Sequence, residues 1–403
     1  MPATALPRPL NPAVAATMAP PVMEARRWLA ETPLPPDRPL INLSQAAPVA
    51  PPPEPLRRAI AEAALSDAAA HGYGPVLGLP ELRAEVATRW SAAYGGRISE
   101  EEVAITLGCN QAFCAAVATL AAPGDNVILP TPWYFNHAMW LSLSGIETRP
   151  LAVGADLLPD PDAAARLIDA RTRALVLVTP NNPVGAEYPA DLVAAFADLA
   201  ARHGLALILD ETYRDFDSRE GRPHDLFADP GWGEVLIHLY SFSKAFRLPG
   251  HRVGAMVASR GRLAEVEKVL DTLTICPPGL GQRAALYGLR HLGAWLAGER
   301  EEILARRRAL LAAFADLEPL GWRIEGAGAY FAWLRHPWPG RDAAEVAREL
   351  LARAGVLLLP GGMFTPPGDA RGREGLRLAF ANADAAGLAA TAERLAAVSA
   401  GAL

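Results

Sequence analysis

The chain has little cysteine, no long apolar run and no excess of basic charge, and each shortage removes a class of function. Its three cysteines in 403 residues, Cys109, Cys114 and Cys276, show neither CxxC nor Cys/His zinc spacing, and pairing any two would leave one over. That argues against disulfide or zinc staples and leads us to expect a reduced, cytoplasmic protein. Nowhere do 18 or more apolar residues run together without charge, so no spanning helix and no membrane partner are expected. The opening MPATALPRPLNPAVAATMAPPVM is apolar, but prolines at 12, 20 and 21 interrupt it and Arg8 is its single charge. This argues for a loose N-terminal arm over a signal peptide. Net charge is −6, from 38 basic and 44 acidic residues without long runs of one sign, which leaves no electrostatic footprint for nucleic acid.

What is present is length enough for two domains and a large core. From about residue 100 to 260, short β-branched or Leu-rich runs alternate with longer segments of helical period, the pattern of parallel strands joined by helices. The expected strands are VAITL (103–107), NVILP (126–130), ALVLV (174–178), LALILD (205–210), VLIHLY (235–240) and VGAMVA (253–258), with a helix at 189–203. Continuous apolar strands suit a sheet covered on both faces. After about residue 295 a long Arg/Ala/Leu helix (297–317) precedes short strands at YFAWL and LRLAF and a final amphipathic helix. The expected fold class is α/β: a mainly parallel central sheet flanked by helices, with a smaller α+β domain. The Pro-rich APVAPPPEP (47–55) is a connector. The expected division is an arm and part of the small domain at 1–54, a large domain at 55–290 and a small C-terminal domain at 291–403.

Ligands of open α/β sheets bind at the carboxyl ends of strands. After VAITL comes GCNQAF, a glycine and then a helix start at Cys109 and Asn110, where free N–H groups suit a phosphate. NVILP runs into TPWYFNH, with Trp133 and Tyr134 able to offer a flat face to an aromatic ligand. ALVLV runs into TPNNPVG, where Asn182 precedes a proline that fixes the turn. LALILD ends in Asp210 and continues ETYRDF; an aspartate closing so apolar a strand is costly unless a cation or strong donor meets it. Tyr213, three residues on, can point its hydroxyl at the same centre. Taken singly, these are a glycine turn, a packed aromatic, an Asn-Pro turn and a helix cap.

SFSKAFRLPGHRVG (241–254) gives them a common subject. Lys244 follows VLIHLY and shares the strand-end edge with Asp210, Asn182 and Tyr134. A desolvated lysine near other cations becomes a nucleophilic amine able to form an imine with an aldehyde. Ser241 and Arg252 are donors for a phosphate dianion. Phosphate, aromatic ring, buried carboxylate and imine-forming lysine together describe pyridoxal 5′-phosphate.

From INLSQAAP at 41 to LRLAF at 376, the chain resembles the fold-type I, class I/II pyridoxal-phosphate-dependent aminotransferases. YGPVLGLPELR, GCNQAF, NNPVG, DETY, SFSKAFRLPGHRVG, LLLPGGMF and LRLAF occur in that family's order. The resemblance implies that Lys244 forms the cofactor imine and that Asp210 pairs with the protonated pyridine nitrogen. It implies that Asn182 and Tyr213 bond the ring's phenolic oxygen and that Tyr134, more than Trp133, stacks on the ring. The backbone of Cys109 and Asn110, with Ser241 and Arg252, would hold the phosphate. Tyr73 would reach the phosphate and catalytic centre of a neighbouring subunit, making a homodimer with shared active sites. Arg377 would clamp the substrate α-carboxylate, with Ala46, Asn182 and Tyr134 beside it.

This sequence departs from the family where Ala46-Ala47-Pro48 replaces the usual Gly-x-Pro, which changes the backbone approach to the substrate carboxylate, and where Cys109 replaces a smaller residue. The implied reaction moves an amino group between an L-amino acid and a 2-oxo acid. A β-eliminating lyase or an amino-acid oxidase on the same fold is the alternative. A DNA-binding regulator is disfavoured because roughly 40 residues before the first motif are too few for such a domain. Trp133, Tyr330 and Phe331 are expected to line an apolar pocket for an aromatic or neutral aliphatic substrate.

Overall fold

The computed structural model describes residues 10–401. Its central sheet has seven strands: β2 (Val103–Thr106), β3 (Asn126–Thr131), β4 (Glu147–Ala152), β5 (Thr172–Val178), β6 (Ala206–Asp210), β7 (Leu236–Ser241) and β8 (Gly254–Val257). They follow β1 (Ile41–Asn42) in the chain and lie in the order β2-β8-β7-β6-β5-β3-β4. All run parallel except β8, which is antiparallel to both β2 and β7.

All six expected strands form, with one reversed in direction and a seventh added. VGAMVA was expected to run with the others, but the 12 residues between β7 and β8 contain only the short helix Phe242–Ala245 and a turn at Pro249–His251, so the chain doubles back. The strand absent from the expectation is β4, ETRPLA. It is the sheet's edge, mostly open to solvent, with Pro150 in its middle, so it lacks the continuous apolar run that marks the inner strands.

Burial alternates along the inner strands and divides the core in two. Ala206 and Ile208 of β6 and Ile237 and Leu239 of β7 pack on one face with the helix Cys109–Ala118. Leu207 and Leu209 of β6 and Tyr240 of β7 pack on the other, with Trp90 and Tyr94. This two-residue period makes consecutive residues at a strand end face opposite sides of the sheet. The covering helices follow the matching rule: Ala190–Arg202 buries Val193, Phe196, Leu199 and Ala200, spaced to form one stripe.

A second core collects the C-terminal part of the chain. Strands β9 (Arg323–Gly328), β10 (Phe331–Arg335), β12 (Leu359–Pro360) and β13 (Gly375–Leu378) make an antiparallel sheet in the order β12-β13-β10-β9. The helices Gly293–Ala315 and Ala385–Ser399 pack against one another beside it. β1 pairs in parallel with β11 (Val356–Leu357). The arm expected to be loose is held from Pro12 onward: the helix Pro21–Glu31 buries Ala25 and Trp28 in this second core, and Thr17 Oγ1 lies 2.8 Å from Ser142 Oγ. Pro at the first position of each short helix explains how so proline-rich a segment becomes helical. Among the described residues no helix is long and apolar enough to cross a membrane.

Gly254 marks a close approach of backbone to backbone near the strand ends. A Cβ on it would lie 2.7 Å from the Gly108 carbonyl carbon and 2.8 Å from Tyr240 O, both backbone, whereas a Cβ on Gly261 would meet nothing within 4 Å. Gly254→Ala should therefore lower the urea midpoint by the equivalent of about 1–3 kcal/mol, as overpacking does. Gly261→Ala should leave it unchanged or raise it slightly. Equal midpoints for the two variants would show that the Gly108–Gly254 approach is not rigid.

Candidate functional site

The carboxyl ends of β2, β3, β5, β6 and β7 open into a cavity of about 400 Å³, within the size range of small-molecule sites. Eleven of the twelve expected site residues line it: Ala46, Cys109, Asn110, Tyr134, Asn182, Asp210, Tyr213, Ser241, Lys244, Arg252 and Arg377. Tyr73 does not; it is 84% exposed on another part of the surface. Cofactor fit is testable on three features of this cavity: its helix terminus, its buried acid and its amine.

The helix Cys109–Ala118 begins at Gly108, whose φ of +78° is accessible to glycine at little cost. A Cβ there would also stand 2.6 Å from an Arg252 guanidinium nitrogen. The first N–H groups of the helix, Ser241 and the Arg252 guanidinium thus border one corner, a set of donors for a dianion. Arg252 Nη1 donates to Pro249 O at 2.8 Å and Nη2 to Leu107 O at 3.2 Å, which fixes the guanidinium plane. Ser241 Oγ meanwhile accepts from Ser243 N at 3.2 Å and caps the helix that carries Lys244.

Asp210 is 3% exposed at the end of β6. Burial would raise its carboxyl, but the His137 ring and the Thr212 N–H hold it below the usual range, so it is an anion. Its Oδ1 accepts from Thr212 N at 3.0 Å and its Oδ2 lies 3.4 Å from His137 Nε2. His137 is the site residue that sequence reasoning missed. It sits in the helix Phe135–Leu143, stacked at 3.9 Å on Phe113 and edge-on to Tyr134 at 5.1 Å. The available signal was a lone imidazole in a largely apolar helix directly after the TPWY turn.

Lys244 is the other centre. The chain has two lysines; Lys268 is exposed and paired with Glu265, while Lys244 faces the cavity. Desolvation, then the charges of Arg377 and Arg252, push the Lys244 amine down to about 7. Its Nζ donates to Ala46 O, the backbone position where this chain has alanine for glycine, and lies 5.8 Å from the Tyr213 ring centre.

Arg377, on β13, is 3% exposed and enters from the second core. One amino group donates to Asn182 Oδ1 at 3.0 Å, the other to Ser44 O, and Nε has no protein partner. Phe331 and Phe364 lie against the guanidinium, 5.0 and 4.8 Å from its carbon to their ring centres, and burial pulls its pKa down to about 10. Tyr134 OH donates to Asn110 Oδ1 at 3.2 Å and accepts from Asn136 Nδ2 at 2.9 Å; burial, with the Asp210 charge, raises the phenol to about 12.

The expected apolar lining is corrected. Tyr330 and Phe331 are buried behind Tyr213 and Arg377, and Trp133 packs into the helix-covered core; none borders the cavity. Their places are taken by Pro20 and Val22 from the N-terminal segment and by Phe135, Asn136 and Gln45.

Residues 38–395 match the family described as aminotransferase class I and II. An aromatic aminotransferase of Arabidopsis thaliana is 32% identical over 333 residues, 80% of each chain. The aspartate/prephenate aminotransferase of Thermus thermophilus is 30% identical over 328 residues, 79% of this chain and 81% of that one. The solved structure of a Thermus thermophilus aspartate aminotransferase with maleate superposes with a TM-score of 0.85 at 27% identity, over 97% of this chain and 100% of that one. The family match encloses every residue that borders the cavity apart from Pro20 and Val22. The chain therefore belongs to the class I and II aminotransferases, pyridoxal 5′-phosphate-dependent enzymes that move an amino group between an amino acid and a 2-oxo acid.

Proposed function

We propose that Lys244 holds the cofactor and moves the proton in this transfer, with Asp210 against the pyridine nitrogen and Arg377 on the substrate α-carboxylate. The observation that carries this is one cavity bordered by a depressed-pKa lysine, a buried carboxylate anion and a helix terminus with an arginine. Pyridoxal 5′-phosphate, when bound, supplies an aldehyde that condenses with amines and a ring that accepts electrons from the substrate α-carbon. The chain's residues do the rest. The N–H groups of Cys109 and Asn110, with Ser241 and Arg252, anchor the phosphate. Tyr134 stacks on the ring, and Asn182 and Tyr213 bond its phenolic oxygen. His137 and Thr212 keep Asp210 ionised, so that its charge holds the ring nitrogen protonated. Lys244 Nζ, neutral above about pH 7, takes and returns the substrate α-proton. Arg377 presents its unpartnered Nε and an amino edge to the carboxylate while Asn182 and Ser44 O hold the plane. Val22, Gln45, Phe135 and Asn136 give the remaining wall no charge, which favours neutral amino-acid side chains.

We further propose a homodimer in which Tyr73 serves the partner's site. Tyr73 stands between two glycines in a loop whose Gly74 N donates to Cys276 Sγ, beside a segment that exposes Leu273 and Ile275. Such an apolar exposed patch suits a second copy. The cysteines are unpaired, in keeping with a cytoplasmic setting.

Borohydride reduction of the holoenzyme should fix the cofactor to the peptide containing Lys244; attachment at Lys268 would overturn the assignment. Asp210→Asn should retain fold and cofactor but slow turnover by on the order of 10²-fold, as loss of a preorganised charge does. Cofactor capture by the cofactor-free protein requires the neutral amine. Its rate should climb roughly tenfold per pH unit below the Lys244 pKa and level off above it, with the midpoint at about 7. A midpoint near the ordinary lysine value would show that Lys244 is not desolvated. Mixing Tyr73→Phe and Lys244→Ala subunits should restore activity through one intact site per hybrid dimer; no recovery in a verified hybrid would remove Tyr73 from the partner's site.

A further inference from the structure

Behind the site, on the opposite face of the sheet, lies a polar cluster whose centre, Glu211, Tyr94 and His238, is buried and does not border the cavity. Glu211 follows Asp210 at the end of β6, and the two-residue period sends its side chain through to the other side. It is 2% exposed. Its carboxylate accepts from Tyr94 OH and lies 2.8 Å from His238 Nε2 and 3.6 Å from His224 Nε2. Burial would raise this carboxyl, but the His224 and His238 rings hold it well below the usual range. Tyr94 OH also accepts from Arg214 Nη1 at 2.8 Å. The Arg214 guanidinium lies 3.6 Å from the Trp90 ring centre and 4.8 Å from that of Tyr240, whose hydroxyl donates to Asp215 Oδ2 at 2.6 Å.

The connectivity of this cluster matches that of the site. On β6, Glu211 belongs to the cluster and Asp210 to the cavity. On β7, His238 and Tyr240 belong to the cluster; Ser241 comes next and borders the cavity, and Lys244 is three residues further on. After β6, Tyr213 borders the cavity and Arg214 and Asp215 belong to the cluster. Glu211 N donates to Leu239 O at 2.9 Å, tying the two strands at that level. The two segments that supply Asp210 and Lys244 are therefore each fastened, one and four residues away, to this cluster.

Stability alone does not account for it. Replacing a buried ion network by apolar side chains of similar volume is often neutral or stabilising, because desolvation offsets the Coulomb gain. What the hydrogen bonds from Tyr94 and His238 to Glu211 and from Arg214 to Tyr94 add is directionality: they fix positions that interchangeable methyl groups leave free. We propose that the cluster centred on Glu211 is a positioning device that sets the ends of β6 and β7 so that Asp210 and Lys244 hold their places across the cavity. It acts through those two residues and not on the substrate, and it rests on the roles assigned to them above.

The test uses Tyr94→Phe, which removes the one hydroxyl shared by Glu211 and Arg214 while keeping the ring, and Glu211→Gln, which removes the charge at constant volume. Borohydride mapping on the unmodified holoenzyme comes first. Label away from Lys244 overturns the site assignment and this inference with it; label at Lys244 leaves the positioning role as the one point the variants decide. Tyr94→Phe should keep the far-ultraviolet dichroism of the parent and its KM within about twofold, lower kcat about tenfold, and weaken the affinity of the cofactor-free chain for pyridoxal 5′-phosphate to a similar degree, the scale of one buried charge-assisted hydrogen bond. The pH midpoint of the bound cofactor's visible band should shift as well. Glu211→Gln should move the same quantities further in the same direction. Parental kcat, cofactor affinity and band midpoint in a Tyr94→Phe protein that merely melts at lower temperature would overturn the proposal. Should Glu211→Gln fail to fold, the Tyr94→Phe readings decide alone.

Discussion

Burying the Asp210 carboxylate at the end of an apolar strand is the constraint on which most of the site depends. An ionised carboxylate away from water is costly by several kcal/mol unless donors or cations surround it. Here Thr212 N and the His137 ring stand on its near side, and the cavity on the other holds two guanidinium cations, Arg252 and Arg377, beside the Lys244 amine. Both guanidinium charges oppose a third, and they push the Lys244 amine down. One acid against three bases leaves the enclosure short of negative charge. A phosphate at the helix terminus and a carboxylate at Arg377 are the charges that would balance it.

Positions that point into the cavity were largely legible in the sequence, because each comes just after an apolar strand and strand ends are where open α/β sheets bind ligands. Asp210 and Lys244 stood out as polar residues terminating runs that had no other reason to stop. The remainder depended on contacts that one-dimensional patterns do not carry. His137 matters because a helix from another part of the chain brings it to 3.4 Å from Asp210. Pro20 and Val22 reach the cavity because Trp28 docks the N-terminal helix into the second core. The direction of β8 was set by the shortness of a connection, and β4 was hidden by its exposure as an edge.

Glu211 illustrates a subtler limit. Adjacent acids in DETY look alike in sequence, yet one serves the cavity and its neighbour a buried network on the far side of the sheet. Nothing in composition distinguishes them; only the strand's alternation does. The histidines at 224 and 238 were likewise silent until their rings were seen to converge on that carboxylate.

The alternation also governs which changes of chain length the protein tolerates. Deleting or inserting one residue within β6 would turn every side chain downstream to the opposite face, presenting Glu211's longer arm to the cavity and leaving Asp210 a methylene short of Tyr94 and His238. Net charge, hydropathy and the count of acids would all be preserved, so no composition-based measure would register the damage. The exposed residues 220–222, by contrast, can absorb such changes, since the strand's parity does not extend to them. Length variation among proteins of this architecture should accordingly collect in the turns and stop abruptly at the strand that carries the paired acids.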